Sequence, residues 1–275
     1  MLAQRFAHLS WAVLAVASLL LAAGCSAIGD TSEPSLSAKA KASKQFDGEK
    51  FKNVLPLRPR PFGESLSVLK GQFFGDQVRT PPAPIPVVQI DPSVFSVAPG
   101  LRAWWLGHAS VLMEIDGKRL LIDPVFSERA SPLSFVGPKR FHPPPIALEQ
   151  LPAIDAVLIS HDHYDHLDMA TVQALGRKGT HFYVPLGIGD DLRFWGLPQA
   201  QIHELDWGES VKLGDVTLYS GAAQHYSGRW LTDRNETLWG SWTIVGPHST
   251  EPSTLATPAT PRTSNNSASA LAPST

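Results

Sequence analysis

His161-Asp162-His163-Tyr164-Asp165-His166 is the stretch on which the reading of this chain turns. It follows the apolar run Ile154 to Ser160, which has the length and composition of a buried strand. In an extended segment alternate side chains share a face, so His161, His163 and Asp165 are expected to converge at the strand's end. His166 begins the turn into a helix expected over Leu167 to Leu175, with Asp168 as candidate N-cap, and can reach a second spot close by. Imidazole and carboxylate are ligand types that zinc accepts. Crowding them at a strand end brings no packing benefit, so the pattern points to a metal site rather than to a solvated turn. Zinc prefers four ligands, and His225, after the expected strand Val216 to Ser220, is the best remote partner.

Outward from the motif the pattern is strand-rich. Leu101 to Leu106 is one short apolar run. Ser110 to Ile115 and Arg119 to Ile122 flank Asp116-Gly117, a hairpin signal. Further strands are expected at His181 to Pro185, Ile202 to Leu205, Ser210 to Leu213, Val216 to Ser220 and Thr237 to Val245. Phe51 to Gly100 is rich in proline, with Phe62, Phe73 and Phe74, and reads as an irregular arm packed on the domain. Trp104, Trp105, Trp239 and Trp242 are expected in the core.

The whole chain has 275 residues, 43% hydrophobic and 17% charged, with a formal net charge of −2. That is a globular composition with no basic field for nucleic acid. A single cysteine excludes a disulfide framework and a cysteine-type zinc site. Met1 to Gly24 reads as an export signal: Arg5, an apolar run from Trp11, then Leu21-Ala22-Ala23-Gly24-Cys25. This resembles the bacterial lipoprotein signal, which implies cleavage after residue 24, lipidation of Cys25 and a membrane anchor. Ser26 after the cysteine favours the periplasmic side of the outer membrane. Residues 25–50 read as a flexible tether and 51–246 as the folded domain. Residues 247–275, almost wholly Ser, Thr, Pro, Ala and Asn, read as a disordered tail.

A series of stretches carries a resemblance. They are Trp105-Leu106-Gly107-His108-Ala109-Ser110, Leu121-Ile122-Asp123-Pro124-Val125-Phe126, Gly137-Pro138-Lys139-Arg140-Phe141, Ser160 to Asp168, Val184-Pro185-Leu186-Gly187, Glu204-Leu205-Asp206-Trp207, Gln224 to Arg229 and Leu238-Trp239-Gly240-Ser241-Trp242. Together they resemble the metallo-β-lactamase fold superfamily, in its branch of N-acylphosphatidylethanolamine-hydrolysing phospholipase D enzymes. The resemblance implies an α/β chain folded as an αββα sandwich with two zinc ions. His161, His163 and His225 would hold the first, and Asp165 and His166 the second, with Asp165 in a catalytic position. It implies hydrolysis of a phospholipid phosphodiester by metal-activated water. Asp123 is a candidate to orient a metal-binding histidine, or a buried turn-capping residue. Arg140, Arg229 and Lys139 are candidate phosphate contacts, and His108 is a second candidate beside Asp123, with a structural role the expected one.

The resemblance ends near Val245. Family members supply a further bridging Asp and a final His, whereas after His225 the acidic residues are Asp233, Glu236 and Glu251, and the one histidine is His248. The expectation is that only the N-terminal portion of the sandwich is present, with an apolar sheet face exposed and one zinc firmly held. A change of reading frame near Gly246 would account for the tail. An inactive fragment, a non-catalytic envelope lipoprotein, and a lactonase or other phosphoesterase are the competing readings.

Overall fold

In the computed structural model, the described residues are 27, 29, 36–56, 78, 80–96, 98–248 and 253–255. The expected export signal, Cys25, Phe62, Phe73 and Phe74 lie outside them. Three short α-helices and ten strands are named here in chain order. The strands are β1 (Leu101–Gly107), β2 (Ser110–Ile115), β3 (Lys118–Ile122), β4 (Ala156–Leu158), β5 (His181–Pro185), β6 (Ile202–Leu205), β7 (Ser210–Leu213), β8 (Val216–Gly221), β9 (Ser241–Val245) and β10 (Ser253–Leu255). The helices are α1 (Ala38–Lys41), α2 (Met169–Gly176) and α3 (Ile188–Phe194).

β1 to β6 form one sheet in sequence order and β10-β9-β8-β7 a second. β1, β2 and β3 pair antiparallel, and β3 to β6 run parallel. The β2–β3 hairpin closes on Asp116-Gly117, with φ +46° and +81°, the two left-handed residues a tight hairpin turn requires. α2 connects β4 to β5 and α3 connects β5 to β6.

Alternation along the strands builds two cores. Leu112, Leu121, Val157 and Ile159 face the helices and pack with Val172, Leu175, Ile188 and Leu192. Met113, Ile115, Leu120, Ile122 and Leu158 face the other way, against Val216, Leu218, Trp242 and Ile244 of the second sheet. The layers are therefore helix, sheet, sheet. Among the described residues no helix covers the second sheet's outer face. That face is not the apolar surface expected from the sequence. Leu218, Trp242 and Ile244 turn inward, leaving Thr217, Tyr219 and Thr243 half-buried on the outside.

Four expectations are corrected. Residues 36–50 are not a tether: Leu36, Ala40 and Phe51 are buried with Leu186, Ala223, Leu238 and Trp239, and Phe46 packs against them. Small and apolar residues at irregular spacing suffice to dock a segment, although they leave no periodic signal. The tail is not wholly disordered, because Ser253, Thr254 and Leu255 pair with Ile244, Thr243 and Trp242. A free edge of β9 accepts any strand-capable segment. Thr237–Gly240 is not strand, since Leu238 N–H donates to Leu186 O and Gly240 N–H to Ser160 O, tying this segment to the first sheet's ends. Trp105 is 60% exposed, whereas Trp239 and Trp242 are buried and Trp104 packs at the core's edge. Among the described residues no helix is long and apolar enough to cross a membrane.

Candidate metal centre

The carboxyl ends of parallel strands are where open α/β sheets present their sites. Here Asp123 follows β3 and His161 to His166 follow β4. The latter segment is not extended. His166 N–H and Leu167 N–H both donate to His163 O, closing a turn that breaks the alternation. Asp165 therefore parts from His161 and His163 and lies with His166.

Two clusters result. In the first, His161 Nε2 lies 2.9 Å from His163 Nδ1 and 3.1 Å from His225 Nε2. In the second, His108 Nε2 lies 2.8 Å from Asp165 Oδ2, and His166 Nε2 lies 3.7 Å from the same oxygen. The clusters adjoin, with the His161 and His166 rings 4.1 Å apart between centroids. His108, expected to be structural, thus stands among the candidate ligands. Nothing in its spacing marks it. It comes from the tight turn after β1, where its φ is +49°.

Asp123 serves both clusters. Its Oδ1 accepts from Ser160 N–H at 2.7 Å, and its Oδ2 from Ser160 Oγ–H at 2.6 Å and His166 Nδ1–H at 2.8 Å. Since the Ser160 hydroxyl proton goes to Asp123, Ser160 Oγ accepts from His161 Nδ1–H at 2.9 Å. With Nδ1 so engaged, each neutral ring presents Nε2 to its cluster, the form a metal requires, although in the metal-free protein the hydrogen bond to Asp123 outweighs burial and raises His166 above the usual imidazole range. Asp123 is buried and has φ +41°, so it is a turn residue and an orienting residue at once.

The electrostatics agree. Burial, then the neighbouring rings, pushes His161 far below the usual imidazole range. Burial and His163 hold His225 at about 4. Burial likewise lowers His163. Three neutral imidazoles turn nitrogens on one common point, where His161 Nε2 can accept an N–H from a neighbouring ring or all three can give lone pairs to a cation. A tetrahedral ion with bonds of about 2.0–2.1 Å spaces its donors about 3.3 Å apart, a small relaxation from the separations seen. Burial works against ionisation of Asp165, but the hydrogen bond from His108 outweighs it and keeps the carboxylate well below its usual range. The residues present fit a metal.

Other candidates fall elsewhere. Asp162 turns away, accepting from Gly228 N–H and Thr237 Oγ–H. Arg229 is not a phosphate contact: it is buried, donates to the carbonyls of Asp162, Leu167 and Ala27, and lies over the Tyr164 ring. Arg140 spends its guanidinium on the carbonyls of His142, Val125 and Leu106, although it lines the cavity beside the centre. Lys139 pairs with Glu128 at 2.6 Å. One residue escaped sequence reasoning. Asn53 Oδ1 accepts from His225 N–H at 2.9 Å while its Nδ2–H donates to His225 O at 2.6 Å, fixing that loop from the N-terminal arm.

The centre opens into a cavity of about 620 Å³ walled by Ile85, Trp105, Val125, Phe141 and Tyr226, with His108, His163 and Asp165 exposed to it.

Comparison with known proteins gives the following. Residues 118–260 match the family model described as the beta-lactamase superfamily domain. An uncharacterised protein of Mycobacterium tuberculosis (strain ATCC 25618 / H37Rv) is 53% identical over 170 residues, 61% of this chain and 45% of that protein. The N-acyl-phosphatidylethanolamine-hydrolyzing phospholipase D 1 of Caenorhabditis elegans is 42% identical over 171 residues, 59% of this chain and 48% of that enzyme. The chain spans about half the length of the curated relatives it matches. Among solved structures, Igni18, a metallo hydrolase of Ignicoccus hospitalis, aligns with a TM-score of 0.41 at 22% identity, over 54% of this chain and 57% of that one.

Proposed function

From the premise that this chain belongs to the metallo-β-lactamase superfamily, we propose that it is a metal-dependent hydrolase whose ion is zinc and whose substrate is a phosphodiester of the N-acylphosphatidylethanolamine type. The observation that carries the reading is the pair of adjoining donor clusters tied to one buried carboxylate, Asp123. His161, His163 and His225 would hold the first ion, with Asp165 and His166 beside it. A zinc ion so placed supplies Lewis acidity and lowers the pKa of bound water toward neutrality. The chain's own contribution is positional. Ser160 engages Nδ1 of His161 and Asp123 that of His166, which turns both Nε2 atoms toward the clusters, and the Asp165 carboxylate stands beside them as an acceptor for water. Trp105 and Phe141 give the cavity an apolar wall suited to acyl chains, and the likeness to the nematode enzyme supports the lipid substrate.

The test is hydrolysis of N-acylphosphatidylethanolamine in mixed micelles by zinc-loaded protein, followed as release of N-acylethanolamine, alongside a chromogenic lactone and a chromogenic phosphodiester. Turnover of the lipid that vanishes in His161→Ala/His163→Ala supports the proposal. Turnover of the lactone alone would replace the substrate class, and no turnover of any of the three contradicts the hydrolase reading for this chain.

A further inference from the structure

We propose that His108 is the third protein ligand of a second metal ion, held by His108, Asp165 and His166. The inference rests on the reading of the centre as metal-binding and extends it, since Asp165 and His166 alone offer only two donors.

Three features of the site carry it. First, the donor atoms converge. His108 Nε2, Asp165 Oδ2 and His166 Nε2 all lie within 4.8 Å of one another. The two separations measured from Asp165, 2.8 and 3.7 Å, bracket the roughly 3.3 Å between donors of a tetrahedral zinc ion. The His108 and His166 rings meet edge to face at 5.4 Å, so each can aim a nitrogen at the common point.

Second, the backbone under His108 is built to present it. Gly107 pairs with Ser110, leaving His108 and Ala109 as the tip of the turn. Trp105 Nε1–H donates to His108 O at 2.8 Å. Ser110 Oγ–H donates to Asp123 O and accepts from Val125 N–H, binding the turn to the loop that supplies Asp123. His108 holds φ +49°, a conformation that favours glycine or asparagine. A histidine kept there at a conformational cost, with its side chain 59% exposed, contributes little to packing that would justify it. Third, its ring faces the cavity and the carboxylate of Asp165, not solvent alone.

The contact could instead be a hydrogen bond that merely steadies Asp165, and the two roles separate in one experiment. Full-chain protein is loaded with zinc, freed of excess, and its metal content measured, with chelator competition giving each affinity; cobalt loading gives the absorption of each site. Wild type should hold two equivalents. His108→Gly should hold one, with the weaker-site affinity reduced beyond the roughly 10–100-fold that loss of an outer hydrogen-bond partner produces. The metal-free His108→Gly protein should melt no lower than wild type, because glycine relieves the positive φ. Two equivalents in His108→Gly with unchanged affinities would overturn the proposal, as would a wild type that saturates at one. A wild type that binds no metal would overturn the reading of the whole centre.

Discussion

Asp123 touches no candidate donor atom that would face a metal, yet the tautomers on which both clusters depend run through it. Its Oδ2 receives the protons of Ser160 Oγ and His166 Nδ1, and Ser160 passes the constraint to His161. Asp123→Ala should therefore weaken metal binding at both clusters by about 10–100-fold. Ser160→Ala should weaken only the three-histidine cluster, and chelator competition on the two variants separates these effects. A second expectation concerns pH. Burial and His163 hold folded His225 at about 4, against 6.5 for an ordinary imidazole. The unfolded chain then takes up a proton that the folded chain refuses. Stability of the metal-free protein should fall as pH drops from about 6.5 to about 4, with His161 and His163 adding in the same direction. Urea midpoints across that range should decline less steeply for His225→Ala than for wild type. Parallel curves would show that His225 is not buried as a neutral ring.

Among the elements, the segment from Leu36 to Lys50 has the largest unforeseen role, because Leu36 and Ala40 are buried together with Phe51 at the start of the arm. Phe51 is fully buried, and Phe51 N–H donates to Asn235 O at 2.8 Å, so the arm is part of the domain. Phe51→Ala should cost about 3–5 kcal/mol in urea unfolding. Asn53→Ala should leave that stability nearly intact and still lower zinc affinity, because it frees the backbone on both sides of the His225 peptide. Neither residue announces itself in sequence: one phenylalanine and one asparagine have no period and no motif. The strands do, because period-two alternation and the Asp116-Gly117 turn are local physics, and β2, β5, β6 and β7 fall where these signals place them. α3 is not legible, being seven residues bounded by Gly187 and Gly196, both at positive φ. Its start depends on a distant partner, the Glu204 carboxylate, which accepts from Gly187 N–H at 2.6 Å. The division of the motif into two clusters is likewise a product of the turn at His163 to Leu167. Alternation predicts one cluster where the turn makes two. His108 joins the second only because β1 and β4 belong to one sheet, a non-local fact.

For the whole molecule, the described layers account for a buried interface between two sheets and for a centre at the rim of the first. The strands β3, β4 and β8 and the β1–β2 turn each deliver one piece of it, so its assembly reports on the fold as a whole. The run from Trp11 to Cys25 supports a further proposal, that the chain is exported and lipidated, which would bring the cavity to a phospholipid surface. Expression with labelled palmitate in a bacterial host should label the wild type and not Cys25→Ser. Label in both would remove the anchor and leave the metal centre unaffected.

Metal content of the purified full chain is the most direct check on the account. Wild-type protein loaded with zinc and dialysed should retain the ion, while His161→Ala/His163→Ala, folded by circular dichroism, should lose the three-histidine equivalent. Equal zinc in the two proteins would contradict the assignment of this centre.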